Sequence, residues 1–160
     1  MVGDAVSLLG DGWDMLIAHP PCTHLAVSGA RWFKEKRQEQ ADALAFVRAL
    51  LDAPIPRICI ENPVSVISSK IRKPDQIIHP WMFGHMEQKT TCLWLQGLPK
   101  LMPTRDVKAS MMALPKRERE RLHYASPGPD RWRIRSRTFT GIAAAMASQW
   151  GGDARQERAA

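Results

Sequence analysis

Apolar positions fall into short runs that prolines and glycines cut apart. Trp13 to Ala18 is one such run. It stops at His19-Pro20-Pro21-Cys22, where two prolines cannot continue a central ladder, which predicts a strand ending there. From about Lys34 to Asp52 the period changes. Ala43, Leu44, Phe46, Val47, Leu50 and Leu51 recur at spacings of three and four, one apolar face of a helix with polar first turns. Pro54 and Pro56 close that helix, and Arg57 to Ile60 reads as a second strand stopped by Glu61-Asn62-Pro63. Strand, helix and strand in this order predict a right-handed crossover in a parallel sheet. Thr90 to Leu95 is a third strand, closing at Gly97 and Pro99. Met102 to Arg137 has no strong period and carries Pro103, Pro115, Pro127 and Pro129, with a short basic helix expected over Ser110 to Leu122. Thr138 to Trp150 is a final alanine-rich helix with Gly151-Gly152 as its stop. The expected organisation is an α/β core over residues 1–99, a basic irregular insert over 100–137, a helix returning to the core over 138–152 and a polar tail over 153–160. Trp81, Trp94 and Trp150 are read as core residues.

A chain of 160 residues suggests one domain. Its 44% hydrophobic and 24% charged content excludes a wholly disordered chain. No run of 18 apolar residues predicts a membrane span, and the acidic N-terminus has no basic region of the kind a signal peptide carries. Three widely spaced cysteines, Cys22, Cys59 and Cys92, fit a reducing cytosol better than a disulfide framework. The net charge of +7 is local: Lys100 to Arg137 holds 11 basic and 4 acidic residues, and the remainder of the chain balances. A concentrated surplus points to an anionic partner, with nucleic acid the commonest. Within it, Arg131, Arg133, Arg135 and Arg137 alternate with Trp132, Ile134 and Ser136. An extended chain would present those arginines on one side, to phosphates, with Trp132 placed for stacking on a base. Lys70, Arg72 and Lys73 are candidate additions to the patch.

Ligands of open α/β sheets sit at the carboxyl ends of strands. Two strands here end in reactive groups, a thiol at Cys22 and a carboxylate at Glu61, and neighbouring strands would bring both to one crevice. A nucleophilic cysteine needs partial exposure, which a loop past a buried strand supplies. A zinc reading of His19, Cys22, His24 and Cys59 lacks the tight paired spacing such sites use, and no metal is expected.

The run from His19 to Gly29, with Pro21-Cys22 followed by Ser28-Gly29, resembles the Pro-Cys loop of DNA cytosine-5 methyltransferases, and Glu61-Asn62-Pro63 resembles their Glu-Asn-Val motif. The chain from about Gly3 to Gly151 is more closely similar to small phage and prophage members of that family, through Pro20-Pro21-Cys22-Thr23, Glu61-Asn62-Pro63-Val64 and Thr91-Cys92-Leu93-Trp94-Leu95. The resemblance implies a partial Rossmann-like methyltransferase fold. It implies transfer of a methyl group from S-adenosylmethionine to C5 of cytosine in DNA, in the cytoplasm of a bacterial host. Cys22 would add to C6 of a flipped-out cytosine, making C5 enamine-like, and Glu61 would protonate or hydrogen-bond N3. Pro21, Ser28 and Asn62 fall on the family's substrate loop and motif, and Asp4 on a Gly-Asp segment whose aspartate contacts the cofactor adenine. Lys89 and Thr91 stand where the family has arginines that hold the base, and Ile142 where it has an asparagine. The family's first strand and glycine-rich cofactor loop precede the segment matched by Asp4. The resemblance therefore implies a longer product, a second copy or complementing chain that supplies them, or a protein that has lost methylation and kept DNA binding. Amino-methyltransferases share Pro20-Pro21, but they have an aromatic residue where this chain has Cys22.

Overall fold

A computed structural model describes residues 4–129 and 131–152. The chain is α/β, and its described residues divide into two compact units, within residues 1–77 with 91–100 and within residues 78–90 with 101–160. Among the described residues no helix is long and apolar enough to cross a membrane.

The first unit is built on a four-stranded sheet. β1 (Met15–Ala18) lies parallel to β2 (Arg57–Pro63), with Met15 beside Arg57 and Ala18 beside Ile60. The expected helix joins them as α1 (Arg37–Leu51). The expectation of a parallel sheet holds for this pair alone. β4 (Thr91–Gln96) runs antiparallel to β2, from Thr91 opposite Pro63 to Gln96 opposite Ile58, and β3 (Gln76–Ile78) completes the order β1-β2-β4-β3. A parallel return needs a long crossover. The link from β2 to β4 holds only short elements, the four-residue helix α2 (Ile67–Lys70), β3 and the single turn Pro80–Met82, and no helix long enough to cross back over the sheet. β2 also overruns its predicted stop at Glu61. β1 ends beside Ile60, so from Glu61 onward β2 has a sheet strand on one side only, and a proline is tolerated there.

Period-two alternation puts Ile58, Ile60 and Asn62 on one face of β2, and Arg57, Cys59 and Glu61 on the other. The first face meets α1. Val47, Leu50 and Leu51 form one core with Leu25, Ile58, Ile60, Ile67, Cys92 and Trp94. Trp94 stands opposite Ile60, fully buried, with Nε1 donating to the Arg72 carbonyl at 2.8 Å. Arg72 is thereby tied to the sheet: it also donates to the Leu95 carbonyl at 2.9 Å and pairs with Asp75 at 2.5 Å. Partial burial of the Asp75 carboxyl works to raise its pKa. The Leu95 amide (2.7 Å) and Arg72 outweigh that and hold it below the usual range.

The second unit contains α3 (Lys108–Met112), α4 (Lys116–Arg119), α5 (Arg131–Ser136) and α6 (Thr140–Trp150). The single basic helix expected over Ser110 to Leu122 is two helices, since Pro115 ends the first path and opens the second. Backbone bonds from Gly84 to the Arg105 carbonyl (2.8 Å) and from Val107 to the Trp81 carbonyl (2.9 Å) tie the segments together. α6 buries Ile142, Ala145, Met146 and Trp150, one helical face. The Gln149 side chain brackets Met102 with two bonds, accepting at 2.8 Å and donating at 2.9 Å. The polar tail over 153–160 lies outside the described residues.

Candidate active site

The parallel register decides what meets what. Ala18 and Ile60 are partners, so His19 to Cys22, which leave β1, and Glu61 to Asn62, which continue β2 beside β4, lie at the same end of the parallel pair. Two side-chain bonds close this lip. His19 Nδ1 and Glu61 Oε2 lie 2.9 Å apart, and Asn62 Nδ2 donates to the Pro20 carbonyl at 2.9 Å. Beyond Cys22 the chain turns, with the amides of Leu25 and Ala26 both bonding the Cys22 carbonyl. It then pairs with the continuation of β2: Val27 N–H bonds Val64 O (3.1 Å), Val66 N–H bonds Leu25 O (2.9 Å), and Ala26 faces Ser65. The Pro-Cys loop is therefore laced to the Glu-Asn-Pro segment from His19 to Val27.

The side chains at this lip have unspent capacity. Glu61 Oε2 is held by His19, and Oε1 has no partner among the described residues. The Glu61 side chain is 17% exposed and that of His19 40%. Three further buried polar atoms on the same segments, His24 Nδ1, Asn62 Oδ1 and Ser65 Oγ, have no hydrogen-bond partner among the described residues. Of the three free thiols, Cys22 is half-buried and the others are enclosed. Burial, and secondarily the Glu61 charge, push Cys59 up to about 12 and Cys92 upward as well. Neither is a thiolate near neutral pH, which leaves Cys22 as the accessible sulfur.

The remaining candidates divide by unit and burial. Pro21 and Ser28 are exposed, Ser28 within the short helix Val27–Trp32. Asn62 and Thr91 are 1% and 2% exposed; Asn62 clamps the Pro20 loop, and Thr91 stands in the ladder opposite Pro63. Asp4 caps the turn Ala5–Leu8 by accepting from the Val6 amide at 3.1 Å. Lys89 belongs to the second unit, where Nζ donates to the Arg135 carbonyl at 3.4 Å. The expected extended arginine stripe is instead the helix α5. At about 100° per residue, Arg131 and Arg135 fall on one side of the helix and Arg133 on the opposite side, so the three do not form one stripe. Arg131 is spent within the unit, Nε on the Ala125 carbonyl (2.7 Å) and Nη2 on that of His123 (3.3 Å). Arg133 and Arg137 are exposed, Arg135 half-buried, and the side chain of Trp132 lies outside the described part.

Beside the lip an open apolar cleft of about 470 Å³ runs along β1, walled by Leu9, Trp13, Phe46 and Leu50 and reaching His19, Pro20 and Pro21. The partnership of His19 with Glu61 is the feature that motif reading missed. In-register parallel strands set the residues after their ends side by side, so a histidine one place past β1 was its signal. No family model, curated protein or solved structure matches the chain.

Proposed function

We propose that this protein acts on cytosine in DNA as a cytosine-5 methyltransferase does, on a partial Rossmann-like sheet, with Cys22 as nucleophile and Glu61 as the N3 partner. The observation that carries this reading is the closure of the parallel lip by His19–Glu61 and Pro20–Asn62, which gathers the Cys22 loop and the Glu61 carboxylate at one strand end. The target base leaves the stack to reach them. The Cys22 thiolate forms a bond to C6. The C5=C6 electron pair moves toward N3, which takes a proton from Glu61, and C5 becomes nucleophilic. After alkylation, water takes the C5 proton, the C6–S bond breaks as C5=C6 re-forms and releases the thiolate, and N3 returns its proton to Glu61. His19, 2.9 Å from Oε2, fixes the carboxyl so that Oε1 serves the base.

S-adenosylmethionine supplies an electrophilic methyl group when bound. The cleft along β1, lined by Trp13, Phe46 and the apolar residues of β1, would offer apolar surface to its purine ring. His19 is the one titratable residue among those lining it. That observation favours a second reading, a DNA-binding protein that keeps the lip without completing transfer.

Replacing Glu61 with Gln preserves size and one hydrogen-bonding edge but removes the acid. Methyl incorporation into a cytosine-containing duplex is expected to fall about 100-fold with duplex affinity unchanged. Full incorporation by that variant contradicts the role given to Glu61. Unchanged duplex binding by the parent, with no incorporation and no covalent complex, selects the second reading.

A further inference from the structure

The second unit contains a cleft of about 550 Å³ lined by His85, Arg121, Arg137, Thr138, Phe139 and Thr140 among others. We propose that this cleft is a phosphoryl-binding site, with the guanidinium groups of Arg121 and Arg137 as its cations and a nucleic-acid backbone phosphate as its ligand.

The argument starts from a buried charge. Glu87 is fully buried, and a lone carboxylate there would be costly. Its Oε2 accepts from Arg121 Nε at 2.6 Å and its Oε1 from the Leu122 amide at 3.3 Å. The pair is lopsided: the carboxylate is enclosed, whereas the Arg121 side chain is 70% exposed. Only Nε is used, so both terminal nitrogens of the guanidinium remain without a partner among the described residues. Glu87 thus anchors Arg121 by its inner edge and leaves the outer fork set for a second, bidentate acceptor.

The rest of the cleft matches. No acidic residue lines it among the described residues, and Arg137 has no partner there. Thr138 and Thr140 add hydroxyl donors. Lys89 Nζ, 6.0 Å from the centre of the Phe139 ring, adds a further positive charge. The floor is fixed. A Cβ on Gly141 would fall 2.1 Å from the Phe83 carbonyl oxygen, so only glycine lets α6 start this close. The Gly141 amide donates to His85 Nε2 at 2.9 Å, which puts the ring proton on Nδ1 as another donor. Two forks and several hydroxyl and ring donors suit a tetrahedral group with three or more acceptor oxygens better than a planar carboxylate with two. The assignment stands apart from methyl transfer, since none of these residues belongs to the Cys22 lip.

The test uses the whole chain, a fluorescent duplex for anisotropy across a salt series, and inorganic phosphate followed by backbone amide shifts. R121Q and R137Q are each expected to weaken duplex binding about tenfold near 0.1 M salt and to reduce the salt slope by about 1, while K116Q, on exposed α4, retains most of the parent affinity. Phosphate is expected to shift the amides of Thr138 to Gly141 in the parent and not in R137Q. R137Q removes a group with no partner among the described residues, so it reads the site even if R121Q unfolds by orphaning Glu87. Phosphate shifts with unchanged duplex affinity in R137Q keep a phosphoryl site but overturn the nucleic-acid source. Parent-like affinity, slope and phosphate response in R137Q overturn the site. C22A is expected to leave all of these responses intact, which separates this proposal from the reading of the lip.

Discussion

Changing Cys22 to Ala is expected to lower methyl incorporation by at least about 1,000-fold, with the melting temperature and duplex affinity close to those of the parent. The size follows from what the thiol does. Without a bond to C6, C5 of cytosine stays an aromatic carbon with little nucleophilicity, and neither Glu61 nor His19 substitutes for the missing electrons. No other sulfur stands in, because Cys59 and Cys92 are buried and their thiols are held in the protonated form. Stability is spared because Cys22 is half-buried and the loop is held by main-chain bonds and by Asn62, which the substitution leaves in place. Radiolabelled methyl transfer with denaturation and anisotropy controls reads all three quantities. Activity within tenfold of the parent would remove Cys22 from the chemistry.

Trp94→Ala is expected to cost about 3–5 kcal/mol of stability. Trp94 is fully buried opposite Ile60, and its loss opens a cavity at the meeting of α1, β2 and β4. It also removes the Nε1 donor to the Arg72 carbonyl, in the segment that Asp75 and Leu95 hold against the sheet. Domains are stable by only about 5–15 kcal/mol, so this change consumes much of the margin. Urea denaturation measures it. Trp13, 52% exposed, is the internal contrast: Trp13→Ala should cost less than about 1 kcal/mol. A Trp94 variant within that range would contradict the packing described for the first unit.

The parallel pair and α1 were legible because two independent signals agreed, a long 3.6-residue apolar period and prolines at both strand ends. The lip followed from them, since a strand's carboxyl end can be read from sequence once the strand is. β3 was not legible: three residues carry no measurable alternation. The antiparallel course of β4 has no local signature, because direction is set by the connection and not by the strand itself. The overrun of β2 to Pro63 depends on where β1 ends, a tertiary fact. α5 misled for a different reason. Over six residues an alternating Arg pattern fits an extended chain by count, yet arginine is among the better helix formers, and without a buried face to enforce period two the backbone preference prevails. The buried place of Glu87 was not legible either, since nothing local reveals that a carboxylate will be enclosed against an arginine 34 positions away.

The central claim is that the sulfur of Cys22 bonds to a cytosine held at the Glu61 lip. A duplex with a single 5-fluorocytosine tests it most directly, because fluorine at C5 leaves no proton to lose and the sulfur–carbon bond cannot be undone. After incubation with S-adenosylmethionine, denaturation and proteolysis, mass spectrometry is expected to find the modified nucleotide on the peptide that contains Cys22. A duplex that binds but yields no covalent peptide, or one attached through Cys59 or Cys92, contradicts the account.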